Sequence, residues 1–185
     1  MQPSYKVAVL VGSLRKASFN RKMAHALGSL ASDRLKLEIV EIGELPHYNA
    51  DLEESMPPAW ADFRRRLAEA DAVLFVTPEY NRSVPGVLKN AIDVGSRPPG
   101  KSVFSGKPAA VISVSQGALG AFGANHHLRQ SFVFLDMPAM QQPEAYIGNA
   151  AALFDESGQL SNQSTAEFLR KFAKSFEAWI DRARK

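Results

Sequence analysis

The sequence predicts an open α/β domain, a doubly wound five-stranded parallel sheet with helices on both faces. Three observations lead there. Short continuous apolar runs at Tyr5–Val11, Ala72–Thr77 and residues 108–115 have the character of strands buried on both faces of a parallel sheet. Segments with apolar residues at helical spacing separate them. Polar loops containing Gly, Ser and Pro follow the ends of these strands, where open α/β sheets bind ligands at the switch in strand order.

The first run makes a central strand. After Asn20, the residues Met23, Leu27 and Leu30 recur on one helical face. Leu35, Leu37 and Ile39 then alternate with Lys36 and Glu38, the pattern of a half-exposed edge strand. Pro57–Pro58 opens a second helix with Trp60, Phe63 and Leu67 on its apolar stripe. Ala72–Thr77 is the third strand, and Pro85–Gly86 leads into a helix carrying Val87, Leu88, Ala91 and Ile92. The run at 108–115 is the fourth strand. A glycine-containing segment at 117–123 precedes a helix with Leu128, Phe132 and Leu135, and the fifth strand is expected near 137–141. Phe168, Phe172, Phe176 and Ile180 recur at four-residue intervals in a last helix, as a core stripe. About five alternations of strand and helix imply right-handed crossovers and one domain over residues 1–185.

Composition narrows the function. The formal charge of +3, from 22 basic and 19 acidic residues, is too small and too dispersed for a nucleic-acid footprint. With no cysteine, the chain has neither a disulfide nor a thiolate nucleophile, and redox chemistry requires a bound cofactor. No apolar run reaches the ~18 residues of a membrane span, and no signal-type segment precedes the first strand. The expected compartment is the cytoplasm, with neither membrane nor nucleic acid as partner.

Three loops carry candidate chemistry. The first, from Gly12 to Asn20, offers the hydroxyls of Ser13 and Ser18, the guanidinium of Arg15, the amide of Asn20 and backbone N–H groups at a helix start, a set that suits an anionic phosphate. Ser18 or Asn20 could instead simply cap the helix. Neither G-x-x-x-x-G-K-[ST] nor G-x-G-x-x-G follows the first strand, so a P-loop NTPase and a dinucleotide-binding Rossmann domain both drop out. The second loop, Thr77-Pro78-Glu79-Tyr80-Asn81-Arg82-Ser83-Val84-Pro85-Gly86, has two prolines that restrict its backbone, and a planar ring could lie against it. For Glu79 and Arg82 an ordinary turn is an equal alternative. The third, Ser115-Gln116-Gly117-Ala118-Leu119-Gly120, lets backbone approach a flat ligand, although glycines also serve plain turns.

On these residues the sequence resembles the NADPH-dependent FMN reductase family, and in particular its bacterial quinone and chromate reductases. The Gly12-Ser13-Leu14-Arg15 start with Ser18 and Asn20, the Pro78-Glu79-Tyr80-Asn81 segment and the Ser115-x-Gly117-x-x-Gly120 loop carry the likeness. The resemblance implies a flavodoxin-like strand order, 2-1-3-4-5, with FMN as cofactor and NADPH or NADH as donor. It assigns the FMN phosphate to Ser13, Arg15, Ser18 and Asn20, the isoalloxazine and ribityl border to Pro78, Glu79, Tyr80 and Asn81, and completion of the ring site to Ser115 and Gly117. It also implies a homodimer or homotetramer, with Arg129 and Glu144 as candidate interface residues.

The reaction so implied is a ping-pong two-electron transfer to a quinone or, less specifically, to chromate or an azo or nitro compound. No protein residue is expected to be catalytic in the chemical sense, because the flavin carries the chemistry; Tyr80 shapes the pocket. No metal is expected: His126 and His127 are adjacent on a helix, point different ways and suit a surface or an interface. The rival reading is a flavodoxin-type electron carrier, which would hold FMN without efficient NAD(P)H oxidation. A receiver-like signalling domain needs carboxylates where Gly12-Ser13 and Thr77-Pro78 stand, and a serine hydrolase needs a G-x-S-x-G elbow that is absent.

Overall fold

The computed structural model describes residues 3–184. Strands β1 (Tyr5–Val11), β2 (Leu35–Ile39), β3 (Ala72–Thr77), β4 (Ala109–Val114) and β5 (Ala145–Ile147) form one sheet in the order β2-β1-β3-β4-β5. Every neighbouring pair is parallel. Five helices alternate with them: α1 (Phe19–Leu30), α2 (Pro58–Ala68), α3 (Gly86–Ser96), α4 (Phe122–Leu135) and α5 (Gln163–Ala183). This is the expected flavodoxin-like arrangement.

The continuous apolar strands divide their side chains between two cores, as period-two geometry requires. Val7, Val9, Leu74, Val76, Ile112 and Val114 face α1 and α5, where Met23, Leu27, Phe172, Phe176 and Ile180 complete one core. Ala8, Leu10, Val73, Phe75 and Val111 face the other way, against Trp60, Phe63, Leu88, Ile92, Leu128 and Phe132 of α2, α3 and α4. Phe75 lies at the centre of that second layer, with ring centroids 4.9 Å from Phe132 and 6.4 Å from Phe104. Burying each such ring stabilises the fold by roughly 1.5–3 kcal/mol.

The fifth strand lies elsewhere than the sequence suggests. Residues 137–141 run beside the start of β4 but make a single bridge, Ala109 to Ala139, with hydrogen bonds from Ala109 N to Pro138 O and from Met140 N to Ala109 O. Pro138 and Pro143 have no N–H to extend the ladder. Regular pairing resumes only at Ala145–Ile147, opposite Ile112–Val114. Apolar Met137, Ala139 and Met140 identify a covered segment, not a strand.

The chain runs from β1 outward to β2 and then crosses to β3 on the other side of β1. That reversal leaves a crevice at the carboxyl ends of β1 and β3, bordered by the end of β4.

Candidate functional site

The loop after β1 turns sharply beneath β3. An added Cβ at Gly12 would lie 3.0 Å from the Thr77 hydroxyl and 3.0 Å from Leu88, so the chain enters the loop at close quarters. Ser18 is the N-cap of α1: its hydroxyl oxygen accepts from Arg21 N at 3.2 Å. That bond uses a lone pair and leaves the Ser18 O–H free to donate, so capping and ligand binding are compatible. The N–H groups of Phe19 and Asn20, at the first two helical positions, have no acceptor in the helix. Asn20 is not the cap. Its amide Nδ2 donates to Val114 O at 3.3 Å, tying α1 to the end of β4, while Oδ1 is buried without a partner.

The loop after β3 closes on itself at once. Tyr80 and Ser83 exchange both backbone hydrogen bonds, at 3.0 and 2.9 Å, around Asn81 and Arg82. Both central residues have positive φ, 51° and 65°, the geometry of a tight hairpin turn built without glycine. Such backbone costs energy and persists only where its surroundings impose it. Tyr80 is 49% exposed at the rim. The Glu79 carboxylate accepts from Ala124 N at 3.1 Å, in the first turn of α4, and also meets Arg82 at 3.4 Å.

The two glycines of the β4 loop do different work. Gly117 faces open space, with nothing nearer to an added Cβ than the Ser115 hydroxyl at 4.0 Å. Gly120, at φ 58°, presses instead on the backbone of Tyr146 and Ile147, so its closeness serves β5 and not a ligand. A buried polar network holds this loop from below. The Ser113 hydroxyl donates to Gly120 O at 2.7 Å, Asn125 Nδ2 donates to Ser113 Oγ at 3.2 Å, and Arg129 Nε donates to Asn125 Oδ1 at 3.0 Å. Arg129 also donates to Met140 O at 3.1 Å, so its guanidinium is engaged within the chain.

Ser13, Arg15, Ser18, Asn20, Pro78, Glu79, Tyr80 and Ser115 thus line one cleft of about 170 Å³. Phe19, Val114 and Gln116 line it too. Phe19 and Gln116 lie inside loops already marked by the sequence, whereas Val114 gives no signal beyond being the last residue of a strand. Asn81 and Gly117 sit on the neighbouring turn and loop, outside this lining. Ser113 and Asn125 escape sequence reasoning as well, although a serine within an apolar strand and an asparagine on the stripe of Leu128 and Phe132 are the signal of a buried polar pair.

Beyond the loop, His126 Nε2 lies 3.0 Å from the Tyr146 hydroxyl, and His127 Nδ1 lies 2.9 Å from Ser83 Oγ. Each histidine has its own partner on a different segment. Burial pushes the Tyr146 phenol up to about 12, and the nearby Glu144 carboxylate adds to the push. The fold therefore favours the neutral phenol. That contribution is complete below the ordinary value of 10.0 and is lost as pH climbs to about 12. Tyr146→Phe is expected to flatten the alkaline fall in stability across this window, read as urea midpoints over a pH series; parallel curves for the two proteins would contradict it.

A model of the NADPH-dependent FMN reductase family matches residues 5–152, a span that contains all three loops. The chain belongs to this family. The chain is 64% identical to a quinone reductase of Pseudomonas putida, over 97% of both chains. It is 46% identical to a 2-hydroxy-1,4-benzoquinone reductase of a Burkholderia species, over 95% of this chain and 96% of that one. Among solved structures, FerB, an NAD(P)H:acceptor oxidoreductase flavoenzyme of Paracoccus denitrificans, superimposes with a TM-score of 0.91 at 44% identity, over 97% of this chain and 98% of FerB. An FMN-dependent NADH-azoreductase of Bacillus anthracis in complex with FMN, at 13% identity and a TM-score of 0.63, shares the fold.

Proposed function

We propose that this member of the FMN reductase family holds FMN in the cleft and reduces quinones at the expense of NADPH or NADH. The observation that carries the reading is the convergence of phosphate-binding donors, a rigid turn and an exposed backbone loop on one cleft at the sheet's switch point. Its chemistry fits FMN. Ser13, Arg15, the free O–H of Ser18 and the unpaired N–H groups opening α1 supply donors for a phosphate. Asn20 contributes an unmet acceptor, which a ribityl hydroxyl can satisfy and a phosphate cannot.

Pro78, Glu79, Tyr80 and Asn81 border the ring and the ribityl chain, with Glu79 acting through its place in the loop because its carboxylate is occupied by α4. Ser115 and Gly117 complete the ring site, where N–H groups of the exposed loop are available to ring carbonyls and to the charge that develops on reduction. Once bound, FMN supplies hydride acceptance and return, so the protein needs no nucleophile of its own. Tyr80 offers an exposed aromatic face at the rim for a flat acceptor. The rim is open, and chromate, azo and nitro compounds are proposed as secondary oxidants.

A homodimer or homotetramer is the proposed assembly. Its support is the apolar exposure of Phe122, Val133 and Phe134 along α4, at 50%, 84% and 81%. Glu144 is kept as an interface candidate, while Arg129 is engaged within the chain. The proposed compartment is the cytoplasm, where a nicotinamide donor is at hand.

The test is a visible spectrum of the purified protein, followed by anaerobic addition of NADPH or NADH and then a benzoquinone. Rapid bleaching of the flavin bands and their recovery on quinone addition is expected. Yellow protein that no nicotinamide bleaches would favour the electron carrier, and inability to take up FMN would overturn the proposal.

A further inference from the structure

We infer that Glu79 is a positioning residue, whose carboxylate fixes the turn at residues 80–83 to the first turn of α4 and so sets where the ring-bordering loop stands. This rests on the FMN reading of the cleft and adds to it a residue that acts without donating anything to the flavin.

The helix needs an acceptor from outside. Ala121, its N-cap, has no side chain able to accept, and the first turn of α4 contains no acidic residue. The orphan N–H groups there, with the positive end of the helix dipole, favour an anion. Glu79 supplies it from a segment 45 positions earlier: Oε2 accepts from Ala124 N at 3.1 Å, and the side chain is only 13% exposed. Gly123 makes the approach possible, since an added Cβ would sit 2.9 Å from Glu79 Oε2 and 2.9 Å from Arg82 O.

The turn's own bonds do not fix its location. The Tyr80–Ser83 pair determines its shape, and the positive φ of Asn81 and Arg82 makes that shape costly to hold. Location comes from two contacts with α4, the Glu79–Ala124 bond and the contact of Ser83 Oγ with His127 Nδ1 at 2.9 Å; Arg82, within the turn, meets the same Glu79 carboxylate at 3.4 Å. Of these, only the first joins a mostly buried charged group to a helix end, and charge-assisted bonds of that kind are the strong ones.

The test compares wild type, Glu79→Gln and Glu79→Ala as full-length apoprotein. It reads FMN affinity by fluorescence quenching, the visible circular dichroism of the bound flavin, and hydrogen exchange at the Ala124 amide. Glu79→Ala is expected to speed Ala124 exchange and weaken FMN binding by about tenfold or more, with an altered dichroism band. Glu79→Gln keeps an acceptor but loses the charge, so it is expected to lie between, weakened by about threefold. Faster Ala124 exchange with wild-type FMN affinity and dichroism would reduce Glu79 to a helix cap and overturn the inference. Should the alanine variant not fold, Glu79→Gln decides alone: weaker binding with altered dichroism supports the role, and wild-type values overturn it. If wild type takes up no FMN, the reading of the cleft fails while the exchange measurement still reports on the link to α4.

Discussion

A single methyl group at position 120 is expected to abolish flavin retention and to lower the thermal midpoint by about 10 °C. In Gly120→Ala the new Cβ would stand 2.5 Å from the Tyr146 carbonyl carbon, 2.7 Å from Ile147 N and 2.9 Å from Tyr146 O. These are backbone atoms of β5, so no rotamer change relieves the clash. The residue also has φ 58°, which costs a non-glycine residue roughly 1–2 kcal/mol by itself. Relief requires the β4 loop to lift away from β5, and the loop is held there by Ser113 Oγ on Gly120 O and by Asn149 N on Gly117 O. A total cost of about 3–5 kcal/mol follows, and at about 2–4 °C per kcal/mol for a chain of this size the midpoint shift is large. Gly28→Ala is the control: it lies in α1 with nothing within 4 Å of an added Cβ, and it is expected to be neutral or slightly stabilising. Thermal unfolding followed by circular dichroism, with FMN titration of each variant, checks both. A Gly120→Ala protein within about 2 °C of wild type and with normal flavin affinity would refute the argument.

Asn20→Asp is expected to weaken FMN binding by at least about 100-fold at neutral pH, although the side chain barely changes shape. The residue is 4% exposed, and its Nδ2 donates to Val114 O. Aspartate replaces that donor with a second oxygen, so a carboxylate would face a carbonyl oxygen inside the protein and lie in the wall of the proposed phosphate cleft. Each repulsion disfavours the ionised form and raises the carboxyl's pKa in the folded state above the ordinary value of about 3.9. A raised carboxyl pKa makes the penalty smallest below about 3.9 and lets it grow as pH rises through the folded value. The defect in stability and in FMN affinity should therefore deepen from acid toward neutral pH, with the protonated acid able to restore a donor to Val114 O. FMN titrations across that range test this; a variant that binds like wild type at every pH would rule it out.

The two kinds of information separate clearly along this chain. The central sheet was readable from the sequence, because a strand buried on both faces must be apolar without interruption, and residues 7–11 and 72–76 obey that rule residue by residue, with only Lys6 and Thr77 breaking it near the strand ends. The helices were readable too, since Phe172, Phe176 and Ile180 can share one face only at a helical period. The cleft residues were legible for a related reason: Ser13, Arg15 and Ser18 concentrate donors at the end of a buried strand, a larger set than the single cap that Ser18 supplies to α1. Tertiary structure decided the rest. The last strand is three residues long, follows two prolines and owes its pairing to β4, so no local period announces it. The role of Glu79 depends on a helix that begins more than 40 positions later, where backbone N–H groups and the missing Cβ of Gly123 await it. Gly120 likewise reads as a ligand-facing glycine until β5 is folded against it. Periodicity and composition are properties of neighbours in the chain, whereas a cap, a clash or a buried hydrogen bond belongs to neighbours in space, and only folding brings those together.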